Sequence, residues 1–426
     1  MALAPVASGI SPTQSRRSWI VVGATFVNLA MVYGVWYSYS VFLVAFLREF
    51  GWSRSTVAGA FSVFVIVHGL LGPFNGWMAE RIGSRRIILA GGFLIGIGLM
   101  LMAETRAWWH LYLAFGGVAA LGVACAGWLP SILLVRGWFP DRVGTALGLA
   151  SAGIGLGIAG IVPVTQLLVD LVGWRWTCRI LAGIVMAWVI PATALILQDP
   201  PFVEQRGVRD ARVPGGQVFW TLTTAVRDWH FWGLAIVFFS GNVATQMLMV
   251  HQVAYLVDHG AAALVAATVG GLVGLVSIPG KVGWGILSDR TNREVAYSLA
   301  FSCVVVSIGA LVLAGNNPGS ALPYVYALFI GLGYSATAPL TPASASDLFG
   351  GPRFSTIFGT LHVSSALGAS TGSWVAGRIF DATGSYTLAL TLALIMAVVS
   401  AGLLWIVGPR RPHPPPQAKR PMTNSQ

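Results

Sequence analysis

Apolar runs of about 20 residues, each long enough to carry a helix through the roughly 30 Å hydrocarbon layer of a bilayer, recur along nearly the whole chain. Inside that layer no water is at hand for backbone N–H and C=O groups, so each run must close its own hydrogen-bond ladder as a helix. Of 426 residues, 56 % are hydrophobic and only 9 % charged, whereas an ordinary globular domain is about a quarter charged. The composition excludes a soluble domain and predicts an all-α membrane protein. Breaks at charge, Pro and Gly clusters predict twelve helices, starting near residues 19, 54, 87, 108, 143, 175, 229, 262, 295, 322, 354 and 386.

The longest polar interval, beginning "QDPPFVEQRGVRDARVPGGQ", separates the sixth helix from the seventh. It divides the chain into an N-terminal tail 1–18, a six-helix half 19–197, a linker 198–228, a second half 229–408 and a tail 409–426. The first apolar run is too long for a signal-peptide core and is expected to remain as the first span. With both termini inside, eighteen of the 25 Lys and Arg face the cytoplasm, and Arg48, Arg54, Arg106, Arg175 and Arg378 face outward. That bias follows the positive-inside rule. It accounts for the net charge of +11 without nucleic acid, and the expected site is a bacterial inner membrane, as a monomer in the lipid bilayer.

The two halves repeat each other, the mark of a duplicated architecture. "GWMAERIGSRR" (76–86) matches "GILSDRTNRE" (285–294), so that Gly76, Glu80 and Arg81 fall on Gly285, Asp289 and Arg290. Further along, Asp170 and Gly173 fall on Asp381 and Gly384, and Arg142, Gly148 and Gly157 fall on Arg353, Gly359 and Gly368. Gly153, Gly155, Gly157 and Gly160 on the fifth helix predict one close-packing face where the halves rock, since small residues let helices approach.

The loop formed by Gly76, Glu80, Arg81, Gly83, Arg85 and Arg86 resembles that of the major facilitator superfamily, G-x-x-x-[DE]-R-x-G-x-[RK]-[RK]; the second copy departs from it at Asn292. The resemblance covers residues 18 to 408 and implies two pseudo-symmetric six-helix halves with a site between them. "FGWSR" (50–54) and "RGWFPDRVGTALGLASAGIGLG" (136–157) look like the monocarboxylate transporter and oxalate/formate antiporter branch. In that branch the eighth helix carries a basic residue ahead of x-x-x-G and an acidic-basic pair. Lys281, Gly285, Asp289 and Arg290 occupy the pattern, with Lys where Arg is commoner.

Ionisable residues within a span cost about 2.5–3.5 kcal/mol at its centre on insertion scales, so each should have a partner or a task. All fourteen acidic residues fall in loops or at helix ends, which leaves no buried acid to hold a cationic substrate. Lys281 lies about 12 Å of helix before Asp289 with no acid in sequence reach, and it is the expected anion ligand; snorkelling toward the headgroups is the competing reading. One fixed cation suits a monocarboxylate. Where the oxalate carriers are expected to carry a second basic residue on the eleventh helix, this chain has His362, Ser364 and Ser365, so a dianion requires protonated His362. Tyr33, Trp36 and Tyr37 on the first helix and Asn242 on the seventh are further candidates for the substrate wall, with aromatic packing as the alternative.

His251, His362 and His68 are the candidates for coupling to a proton, because imidazole titrates near neutral pH; a lone buried histidine is more often a packing residue. The resemblance implies an Asp one turn before the helix-eight cation in proton-coupled carriers, and here that position is Ser277. Glu80 ends the second helix, where the dipole repels a carboxylate, so Gly76, Glu80, Arg81, Gly83 and Arg85, with Asp289, Arg290, Arg142 and Arg353, are read as a gating set. Cys125, Cys178 and Cys303 lack metal-ligand spacing, and no metal site, cofactor, nucleophile elbow or phosphate loop is present in the sequence. A secondary transporter of a small organic anion, driven by a gradient of protons or of a counter-anion, is therefore expected rather than an enzyme. The alternatives are an oxalate/formate-like exchanger, or an exporter of a neutral or amphipathic compound in which Lys281 is structural.

Overall fold

The computed structural model describes residues 12–136, 138, 143–199, 220–317, 320–350 and 354–408. Among these residues the chain forms twelve long helices, several of them broken, and one short helix, Leu222–Ala225, ahead of the seventh. Helix α1 is Pro12–Tyr37 continued by Tyr39–Phe50, and α2 is Arg54–Leu70 continued by Gly72–Ile82. Helix α3 is Ser84–Ala103; α4 begins at Trp108–Leu111, passes through a π-helical stretch at Tyr112–Ala119, and ends with Ala120–Ala126 and Trp128–Arg136. Helices α5 and α6 are the two arms of Val143–Pro191, which turns at Gly173, and α6 closes with a π-helical turn, Ala192–Ile196. The remaining spans are α7 (Trp229–Asp258), α8 (Ala263–Arg290), α9 (Arg293–Asn316), α10 (Leu322–Ser335 and Thr337–Phe349), α11 (Phe354–Thr383) and α12 (Thr387–Val407).

Eleven of the predicted starts fall within three residues of these bounds. The first helix starts earlier, at Pro12, because an apolar run marks the membrane and not the end of the hydrogen-bond ladder. By length and hydropathy alone eight segments qualify as spans. The shortfall is informative: α5 and α6 run together through Gly173, α2 and α10 are each broken in two, and α11 carries a series of Ser, Thr and Gly that lowers its hydropathy. Gly173 can make the turn because its φ of 79° is left-handed, a region glycine enters without steric cost.

Packing is set by glycines placed against backbone. A Cβ at Gly153 or Gly157 would collide with the carbonyls of Phe26 and Ala30 on α1, and one at Gly368 or Gly372 of α11 with those of Phe239 and Val243 on α7. Gly155 instead faces α8, at Gly274 and Ile278, while Gly160 has open space beside it. The four α5 glycines are thus not one rocking face: Gly153 and Gly157 seat α1, Gly155, two residues from each and so about 200° round the helix, lies on the seam with α8, and Gly160 has open space beside it. The first six helices meet the last six chiefly where α5 packs on α8 and α2 on α11.

Gly157→Val is expected to lower thermal stability in detergent by about 1–3 kcal/mol, the usual range for overpacking, while Gly160→Ala leaves the melting temperature within error. Equal melting of the two variants would contradict this assignment of α5.

Candidate substrate site

Helix α8 presents three faces. Gly271, Gly274 and Ile278 pack on α5, Gly280 and Trp284 on Ser335 and Leu332 of α10, and Leu275, Val282 and Ile286 are exposed toward the lipid side. At about 100° per residue Lys281 lies roughly 130° from the centre of that exposed stripe, between the α5 and α10 faces. It therefore lies on an interior-facing side of α8, away from the exposed stripe. Its side chain is half-buried, and among the described residues no carboxylate forms an ion pair with it.

The same construction applies to α11. Leu367 and Trp374 are exposed, Ala366 and Gly377 pack on α2, and Gly368 and Gly372 on α7. His362 lies between the two packed faces and yet is accessible, so it opens on the interior space. It is within electrostatic reach of His68 on α2, and its ring lies 6.0 Å from that of Phe358.

Above these groups, nearer the end of the bundle that bears Arg54, the Tyr37 and Tyr334 hydroxyls share a hydrogen bond of 2.6 Å between α1 and α10. Gln246 of α7 faces the Tyr37 hydroxyl, and its own carbonyl oxygen is buried without a partner. Tyr33 stacks on Trp36 at 5.5 Å, and its hydroxyl is close to Tyr334 and the Trp128 backbone. Trp36 is locked from behind: Phe64 lies 4.7 Å away and His68 4.8 Å, both edge-on, and Phe115 stacks on Phe64 at 4.6 Å and on Tyr39 at 4.3 Å. Such edge and offset contacts add about 0.5–1.5 kcal/mol each beyond burial. They give the tyrosine hydroxyls a rigid mounting.

The arrangement is a chamber with a hydroxyl and amide roof and a cationic floor. At about 1.5 Å per residue from the helix ends, Tyr37, Tyr334 and Gln246 lie about 18–20 Å from the Arg54 end, and Lys281 and His362 about 27–31 Å. Of the residues picked from sequence, Lys281, Tyr37, Tyr33, Trp36, His362 and His68 are brought to this region. Asn242 returns its amide to the Phe238 carbonyl of its own helix at 2.9 Å, and Gln246, one turn on, takes the place beside Tyr37. His251 lies elsewhere, bonded to Tyr386 and to the Ser373 carbonyl.

The gating set is less unified than the sequence suggests. Gly83 has a φ of 85° and begins α3 against the Asp199 carboxylate, which accepts from the Arg85 amide at 3.1 Å. The Arg85 guanidinium donates to the carbonyls of Thr193, at 3.1 Å, and Ala194, in the π-helical turn that leaves them free. Arg85 thus fastens α3 to α6 within the first six helices. Gly76 lies within α2, and Arg81 and Arg290 are exposed. The side chains of Glu80 and Asp289, and residues Arg142 and Arg353 altogether, lie outside the described residues.

Tyr334 and Gln246 were missed in the sequence. Gln246 had a signal, an amide in mid-span five residues before His251. Tyr334 had only its place among small residues in "GLGYSATAP", and nothing linear relates it to Tyr37.

Twelve apolar helices with polar side chains gathered in the interior of the bundle define a multi-pass membrane protein. The sequence pattern of the Major Facilitator Superfamily matches residues 25–351, and the chain belongs to that superfamily, one of secondary transporters and not of enzymes. It is similar to Monocarboxylate transporter 13 of Rattus norvegicus, at 25% identity over 92% of this chain and 89% of that protein. With Monocarboxylate transporter 3 of the same organism the identity is 28% over 94% and 81%, and with Monocarboxylate transporter 2 of Homo sapiens 22% over 93% and 86%. Among solved structures, a bacterial homolog of the human lysosomal transporter Spinster, inward-facing and unoccupied, superposes with a TM-score of 0.67 at 15% identity, covering 94% of this chain and 96% of that one. That likeness concerns the fold.

Tyr37→Phe and Tyr334→Phe each remove the shared hydrogen bond, a loss of about 0.5–1.5 kcal/mol. Each single variant is expected to melt below the wild type and the double variant no lower than the worse single; additive losses in this thermal cycle would show that the two hydroxyls are not coupled.

Proposed function

We propose that the protein moves a small organic monocarboxylate across the membrane by alternating access, with the carboxylate on Lys281 and the rest of the solute under Tyr37 and Tyr334. The observation that carries this reading is the inward-facing ammonium of Lys281, which has no carboxylate partner among the described residues. A buried cation without a counter-ion is costly in a span, and an anion that enters, pairs and leaves removes that cost transiently. The names of the similar proteins, all monocarboxylate transporters, agree with it.

The tyrosine hydroxyls and the Gln246 amide offer hydrogen bonds to the end of the solute that Lys281 does not hold. Trp36 and Tyr33 supply the apolar wall beside it. A single fixed cation favours one carboxylate; His362 adds a second charge only when protonated, so exchange of a dicarboxylate should rise as the pH falls. We assign both termini to the cytoplasm from the arginine bias, which makes the Arg54 end the outer one.

Lys281→Met is expected to insert and melt like the wild type and to lose uptake of labelled monocarboxylates by at least about tenfold, the factor that about 1.4 kcal/mol of lost anion binding produces. Lys281→Arg should retain part of it. Undiminished uptake by Lys281→Met would sink the assignment of the lysine.

A further inference from the structure

The hydrogen bonds that join the first six helices to the last six form a ladder at one end of the bundle, and Arg54 is its outermost rung. Asp381, near the end of α11, accepts from the backbone amides of Arg54 and Ser55 at 2.8 Å each. These are first-turn donors of α2, which have no partner inside their own helix and which favour a carboxylate by the sign of the helix dipole. The Arg54 guanidinium, 12% exposed, donates to Asp258 of α7 at 2.5 Å and to the Tyr386 hydroxyl at 3.0 Å, and it lies 4.0 Å over the Phe380 ring. One residue from the first half thus holds three elements of the second.

The next rung lies about 10–15 Å deeper. The Ser62 hydroxyl donates to the Ser370 carbonyl at 2.8 Å and lies 2.9 Å from the Ser373 hydroxyl. His251 links the two rungs. Its Nε2 is 2.8 Å from the Ser373 carbonyl oxygen, which only accepts, so Nε2 carries the proton. In the neutral imidazole Nδ1 then accepts from the Tyr386 hydroxyl at 3.0 Å, and that hydroxyl oxygen accepts in turn from Arg54. The direction of every bond is determined, from Arg54 through Tyr386 and His251 to Ser373.

We infer that Arg54 is the keystone of an outer clasp that keeps the chamber closed to the outside, and that protonation of His251 loosens it. A proton on Nδ1 reverses the bond to Tyr386, sets a second donor against an oxygen that already accepts from Arg54, and adds a positive charge near the guanidinium. The charged and titratable groups around the imidazole are Arg54 from α2, Asp381 from α11, Tyr386 before α12, and Tyr255, Asp258 and His259 on α7 itself; α9 presents Leu311, which is apolar.

Among the described residues the clasp occurs on one seam only. By the internal repeat Arg54 corresponds to Ala263 and Asp381 to Asp170. Helix α8 starts behind Ala262 with no side-chain cap bond, and Asp170 accepts from Gln166 of its own helix at 2.8 Å. The α2–α11 seam is locked by polar bonds, and the α5–α8 seam is closed by glycine contact. The inference concerns the family's alternation between access states and does not depend on which solute is carried.

Double electron–electron resonance tests it without substrate. Spin labels at Arg48→Cys and Ala382→Cys, two exposed outer-end positions beyond the clasp, are introduced into the full-length protein with Cys125, Cys178 and Cys303 replaced. At pH 7.5 a single short-distance population is expected, and Arg54→Ala and the isosteric Asp381→Asn should each raise a longer-distance population at least threefold. Lowering the pH to 5 should do the same in the parent and not in His251→Gln. Unchanged distances in both Arg54→Ala and Asp381→Asn overturn the clasp, and a pH response that survives in His251→Gln overturns its link to the histidine. Asp381→Asn decides the question if Arg54→Ala fails to fold.

Discussion

A lone ammonium in the middle of a membrane protein is the constraint around which the rest is arranged. Lys281 lies on α8 between the faces that Gly271, Gly274, Ile278, Gly280 and Trp284 commit to α5 and α10. The chain supplies no mid-span carboxylate, since its acids are confined to loops and helix ends. Membrane proteins tolerate intramembrane charge in a water-filled or ligand-filled chamber. The packing of α8 fixes which side of the helix carries Lys281, and the proposed preference for an anion rests on that placement.

Above that chamber the bundle is closed in layers. Tyr37 with Tyr334, Ser62 with Ser370 and Ser373, and Arg54 with Asp381, Asp258 and Tyr386 form successive ties between the two sets of helices. These are hydrogen bonds and one ion pair, whose groups water can satisfy when a seam opens, whereas α5 and α8 meet through close contacts at Gly155, Gly271 and Gly274. Hydrogen-bonded closure on one seam and glycine packing on the other is a physical basis for a two-state carrier, because water can satisfy the polar groups of the first seam when it opens.

Helix number and most boundaries were legible from apolar periodicity and Pro/Gly breaks, since a bilayer imposes one length on every span. The loop at Gly76–Arg86 and its echo at Gly285–Arg290 already pointed to the superfamily. Lys281 was legible too, because one lysine in a long apolar stretch stands out. The partners were not. Tyr334 lies 297 positions from Tyr37, and Asp381 looked like a topological counterpart of Asp170 although it caps a helix 327 positions earlier. Arg54 counted only as one outward-facing charge. Such pairings depend on how two six-helix sets close on each other, and a linear pattern carries the faces of a helix but not which helix they meet.

The central claim is that the chamber selects a negative charge through Lys281. Counterflow in proteoliposomes measures this most directly: vesicles loaded with an unlabelled short monocarboxylate are given the labelled acid or the labelled neutral amide of the same shape. The account predicts rapid accumulation of the acid and none of the amide above protein-free vesicles. Equal counterflow of the amide would contradict it.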